Sequence, residues 1–214
     1  MAVIHDTTLT PSKPELLAAW LPGQPWYRDG GRAPELARVG GFRLDDPDGE
    51  VGLEFMAVTD AVTGATYHTP LTYRHRELPG ADDGLIGTAE HGVLGRRWVY
   101  DGAHDPVLAA QLVALIQGEA EPQAQRESNT PDPTVTTGPP ATDARLAGTG
   151  AAVVASTAAG TELQVAGGRL TVWINRVLRP GAEARGPGVF ATWRLADGTV
   201  ARGVFATARY TAAP

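Results

Sequence analysis

The chain has 214 residues, 43% of them hydrophobic, enough for one large or two small domains with a buried core of ordinary size. A net charge of −6 excludes a typical nucleic-acid binder, which needs a concentrated basic face; the only tight basic groups are Arg74-His75-Arg76 and Arg96-Arg97. The absence of cysteine excludes disulfides and thiolate metal sites, and no apolar run approaches the ~20 residues of a membrane helix. No positively charged start leads into an apolar stretch, so a soluble, cytoplasmic protein without nucleic-acid or membrane partners is expected.

In chain order, Ser12 is a predicted N-cap and Pro14 suits a first helical turn. Leu16, Leu17 and Trp20 then recur at helical spacing until Pro22-Gly23 stops the helix. Directly after it stands Trp20-Leu21-Pro22-Gly23-Gln24-Pro25-Trp26-Tyr27, with a tryptophan at each side of a turn. Two readings of these rings stay open: core anchors at a helix-to-loop corner, or a platform for a sugar.

Glu35 to Leu44 alternates around Gly40-Gly41, which predicts a strand with a bulge or sharp bend. Val51 to Val58 and Ala65 to Arg74 flank Thr63-Gly64 as an antiparallel hairpin, with Pro70 predicting an edge or bulged strand. Gly80 to Gly84 is an acidic loop, and Gly92 to Tyr100 a further strand. Asp105 caps a predicted helix that opens at Pro106, runs to about Gln117 and ends at Gly118.

The chain changes character after the helical patterning ends, polar over Glu119 to Glu127 and dominated by Pro, Thr, Asp and Gly over Ser128 to Asp143. This predicts a linker or long surface loop, 121–143, between a first region, 1–120, and a β-rich one, 144–214. Strand patterning resumes at Ala151–Ala158, Thr161–Val165, Leu170–Leu178, Gly188–Leu195 and Thr199–Tyr210, with Asp197-Gly198 as a strong hairpin turn. These strands either form a small second unit or extend the first region's sheet. The second is favoured, because about 70 residues of β structure hold few large apolar groups with which to offset their ordering entropy. The expected fold is α+β: a curved antiparallel sheet packed with two helices.

The Trp20–Tyr27 segment after a helix, and Tyr100-Asp101-Gly102-Ala103-His104-Asp105-Pro106 leading into Val107–Ile116, resemble the N-terminal cap domain of actinobacterial maltokinases. The resemblance covers roughly residues 10 to 120 and implies a cystatin-like sheet-over-helix cap, an actinobacterial source, and a link to trehalose, maltose and glycogen metabolism. The chain departs from the kinases beyond it. Its only lysine is Lys13, on the first predicted helix, and a β-rich tail stands where the catalytic lobes would follow, so no position receives the phosphate-binding and metal-binding residues of a kinase. A stand-alone cap-like relative without kinase lobes is the expectation.

His5, His68, His75, His91 and His104 lack the spacing that aligns metal ligands on a helix, and no metal or cofactor is expected. Ser12, Ser128 and Ser156 sit in no Gly-x-Ser-x-Gly elbow, and Gly148-Thr149-Gly150-Ala151-Ala152 is only a fragment of a dinucleotide loop. Three readings of function remain. A non-catalytic module would bind a glucan on a concave sheet face through Tyr67, Tyr73, Trp98 and Tyr100. A carbohydrate-active enzyme would use Asp82, Asp83, Asp101 or Asp105, with Glu90 nearby, as paired carboxylates. An interaction protein would dock on a carbohydrate-metabolism enzyme or on a second copy of itself, through an edge near Pro70 or the Asp197-Gly198 hairpin.

Overall fold

The computed structural model describes residues 9–127, 129–139, 153–165, 169–181 and 186–210. His5, Ser128 and the Gly148–Ala152 run lie outside them. Among the described residues the fold is α+β, a curved antiparallel sheet packed with two helices. Strand β1 (Leu9–Thr10) precedes helix α1 (Lys13–Trp20). Strands β2 (Leu36–Leu44), β3 (Gly52–Asp60), β4 (Thr66–Arg74), β5 (Leu85–His91) and β6 (Gly95–Asp101) follow, then helix α2 (Pro106–Ile116). The rest comprises β7 (Gln123–Ala124), β8 (Thr136–Thr137), β9 (Val153–Thr157), β10 (Gly160–Val165), β11 (Leu170–Ile174), β12 (Gly188–Arg194) and β13 (Val200–Tyr210).

Helix α1 starts as its sequence dictates. The Ser12 backbone N–H and hydroxyl both donate to the Glu15 carboxylate at 2.7 Å, and Pro14 sits in the first turn. Asp105 likewise caps α2, accepting from the Val107 N–H at 2.9 Å. Helix α2 buries Leu108, Leu112, Leu115 and Ile116, each contributing roughly 1.5–3 kcal/mol. Gly118, at φ 74°, ends it.

The hydrogen-bonded order is β1-β5-β6-β4-β3-β2-β12-β13-β11-β10-β9. The tail strands thus continue the sheet of the first half, and Leu163, Ile174, Trp193 and Phe205 share one core with Phe42, Phe55 and α2. The predicted bulge at Gly40-Gly41 is present as a register shift between Arg38 and Gly40, and Gly40 faces Trp193 where β2 meets β12. Part of the stretch after α2 lies on the sheet: β7 pairs with β2, β8 pairs with β12, and Val135 is buried.

Pro70 does not mark an edge. Strand β4 pairs along its length with β3, while its other side meets β6 at Leu71–Arg74 and, at Tyr67, bridges to Val177. The His68 N–H donates to the Arg176 carbonyl and the Leu178 N–H to the Thr66 carbonyl, both toward that second side. By strand alternation the Pro70 nitrogen points the same way, into the gap between the two outer neighbours, so no ladder bond is lost. This bridge curls the sheet on itself around Phe42, Phe55, His68, Trp193 and Phe205, whose ring centroids are 4.6 to 6.1 Å apart.

A smaller core on the opposite face packs α1 (Leu16, Leu17) with Leu21, Trp26, Met56 and Tyr67. The sequence reading missed β5, because Gly87, Thr88 and Glu90 dilute its apolar alternation.

Candidate ligand-binding cleft

The four candidate carboxylates are placed for structure. Asp101, at the end of β6, is buried and accepts from the Arg176 Nη2 at 2.5 Å and the Ala103 N–H at 3.2 Å. Asp105 takes two bonds from Arg74, at 2.6 and 2.7 Å, besides capping α2. Asp82 and Asp83 are exposed on a short 3-10 turn, Asp82–Gly84, whose Gly84 packs on His104. The two acidic turns do approach each other, yet Asp101 and Asp105 are each held by an arginine in a geometry that leaves no free general base. Glu90 is exposed and pairs with exposed Arg96 at 3.2 Å.

The four candidate aromatics do not make one platform. In the β4–β6 register Tyr73 lies opposite Val99, whereas Thr72 lies opposite Tyr100 and Arg74 opposite Trp98. Tyr67 and Tyr73 therefore share one face, and Trp98 and Tyr100 share the other. Tyr67 and Tyr100 are also buried, their hydroxyls accepting from the Arg28 and Leu78 N–H groups at 3.1 and 2.9 Å. Tyr73 donates to buried Glu54 at 2.6 Å, and the Trp98 indole donates to Glu77 at 3.3 Å. Burial would raise the Glu54 carboxyl, but the charge of Lys13 and bonds from Lys13, Tyr73 and Gln125 outweigh it and hold the group below the usual range. Burial and the Glu54 charge push the Tyr73 phenol well above its ordinary value.

The arrangement best suited to a ligand lies instead at the Trp20–Tyr27 turn. A cleft of about 670 Å³ opens between Trp26, Tyr27 and Arg28 on one side and Asn175, Val177 and Arg179 on the other. Its volume is that of a small-molecule site. Both readings of the tryptophan turn meet here: Trp26 is 2% exposed and anchors the smaller core, while it and half-buried Tyr27 also line the cleft. Tyr67 packs behind both, with ring centroids 5.8 Å from each. The Asn175 amide is fixed, accepting from the Trp173 indole at 3.1 Å and donating to the Val204 carbonyl at 3.1 Å.

Arg28, Asn175 and Arg179 escaped the sequence reading. The Trp26–Tyr27 pair marked the first wall, but the second arises from a register that returns residues 175–179 to β4. The available signal was Asn175-Arg176, a polar pair inside the otherwise apolar run from Val172 to Leu178.

No group of three metal-ligating side chains occurs among the described residues, and no helix among them is long and apolar enough to cross a membrane. The family model described as the maltokinase N-terminal cap domain matches residues 20–105. That span opens at Trp20, includes β2 to β6 and closes at the Asp105 cap, so the first half is a maltokinase-cap-like region and the strands after α2 lie beyond the match. No curated protein matches the chain.

Proposed function

We propose that this maltokinase-cap-related chain is a non-catalytic module of trehalose, maltose and glycogen metabolism, acting in the cytoplasm by binding a glucan or saccharide in the Trp26–Tyr27 cleft. The observation that carries it is the cap-like match at residues 20–105 combined with a cleft walled by that region's own aromatic turn. Sugars present apolar ring faces that stack on aromatics, and hydroxyls that guanidinium and amide groups can engage. Catalysis finds little support, since Asp101 and Asp105 are each tied to an arginine and Asp82 and Asp83 stand exposed on a turn.

A protein partner is the second reading, favoured by the tip of the β5–β6 hairpin, where Val93 and Leu94 are 61% and 46% exposed. A thermal-shift panel of ATP-Mg, maltose, trehalose and soluble glycogen separates the readings. Stabilisation by a sugar and not by nucleotide is expected. A nucleotide response would favour an enzyme, and a flat panel a protein partner.

A further inference from the structure

The cleft is built from donors. Arg28 and Arg179 line it and form no ion pair among the described residues, and no carboxylate is among its described lining residues, although the chain as a whole carries a net charge of −6. Three more buried donors lack an acceptor among the described residues: the Trp26 indole N–H, the Tyr27 hydroxyl and the Nη1 group of Arg176. The Arg176 guanidinium lies 5.1 Å from the Trp26 ring. Buried Asp101 and Asp105 are each met by an arginine and buried Glu54 by Lys13, whereas Arg28 and Arg179 lie exposed at the cleft. The lining of the cleft thus offers guanidinium and amide donors to an open volume, while the charges of Asp29 and Asp60 reach Tyr27 from outside that lining.

We infer that the preferred ligand of this cleft is anionic: a small molecule bearing a phosphate or carboxylate group, held between the Arg28 and Arg179 guanidiniums while its ring or carbon skeleton lies along Tyr27 and Val177. A guanidinium's planar fork matches the oxygens of either group in a bidentate manner, which a neutral hydroxyl cannot reproduce. The inference rests on the reading of the cleft as the ligand site and narrows its occupant from a saccharide to a charged derivative or another small anion.

The test is calorimetric titration of the full chain with glucose, glucose 6-phosphate, citrate and inorganic phosphate, at low and at physiological salt. Wild type, Arg28→Ala, Arg179→Ala and the double variant are compared. Both arginines are exposed, so the variants are expected to retain the fold, checked by circular dichroism. Glucose 6-phosphate is expected to bind at least about tenfold tighter than glucose, to weaken with salt, and to lose about tenfold in each single variant. Equal binding of glucose and glucose 6-phosphate would overturn the anion inference and leave the binding module standing. Anion binding unchanged in the double variant would overturn the assignment to this cleft. No binding of any of the four would overturn the inference as well, while the unphosphorylated glucans still test the module.

Discussion

Arg176 and Asp101 meet 2.5 Å apart in the protein interior, 75 residues apart in sequence, one following β11 and the other ending β6. The Arg176 Nε also donates to the Thr161 hydroxyl at 2.8 Å, its carbonyl accepts from the His68 N–H, and its guanidinium lies over Trp26. One residue thereby joins β4 through its backbone, and β6, β10 and the tryptophan turn through its side chain. Asp101 belongs to the cap-matching span and Arg176 lies beyond it, so the pair locks the second half of the chain onto the first and positions the wall of the cleft.

Removing either partner leaves a buried charge without its counter-ion. Arg176→Met or Asp101→Asn should each cost about 3–5 kcal/mol of stability. Urea unfolding of both variants and of the double Arg176→Met/Asp101→Leu should show the double recovering much of the loss, a coupling that a pair of unrelated packing defects would not produce.

Acid should destabilise the protein through His68. Burial, and then the charge of Arg176, hold its pKa down to about 3, while its Nδ1 lies 3.3 Å from the Asn175 carbonyl. The folded-state pKa lies below the unfolded one, so the unfolded chain binds the extra proton. Stability is therefore complete above about pH 6.5 and falls as pH drops toward 3, by at most about 1.4 kcal/mol per pH unit. Between pH 6.5 and about 5, before carboxylates contribute, His68→Gln should flatten the urea-midpoint profile; an unchanged slope would show that another group sets it.

Lys13 lies 2.6 Å from buried Glu54 and 5.0 Å from the Tyr73 ring. Its side chain is 32% exposed, so solvent screens the pair in part, and Lys13→Met should cost about 2 kcal/mol, less than loss of Arg176. Because Glu54 is held below its unfolded value, its contribution is present near neutral pH and is lost as pH falls through the carboxylate range. The gap between wild type and Lys13→Met should accordingly narrow there, measured by thermal unfolding across that range.

Gly40 is the contact point of β2 with β12. A Cβ there would lie 2.8 Å from the Thr192 carbonyl oxygen and 2.9 Å from the Trp193 Cα, both backbone atoms that cannot rotate away. Gly40→Ala should destabilise by about 2–3 kcal/mol and raise hydrogen exchange first in β12 and β13. A variant with wild-type stability would mean that β12 moves freely against β2.

The bulge at Gly40-Gly41, the Asp105 cap and the Asp197-Gly198 hairpin were legible because each depends on a few adjacent residues. Pro70 was misread because the sequence cannot show that two separate segments share one side of β4. The aromatic quartet failed for the same reason: each ring's parity along its own strand was plain, but the β4–β6 register that sorts Tyr73 from Tyr100 is a tertiary fact. Trp26 and Tyr27 were visible as half a site. Arg28 and Arg179 became legible only once the run after β11 was seen to return to β4 beside the tryptophan turn.

The most direct test of binding in the Trp26–Tyr27 cleft is isothermal titration of the best-stabilising saccharide or phosphorylated saccharide into wild type and Tyr27→Ala, with the ligand recovered and analysed afterwards. Tyr27 is half-buried, so its truncation removes the stacking wall while the core around Trp26 and Tyr67 remains. Saturable binding at one site per chain, weakened at least about tenfold by Tyr27→Ala and returning the ligand chemically unchanged, is the predicted result. Binding indifferent to Tyr27, or a ligand recovered as a reaction product, would contradict it.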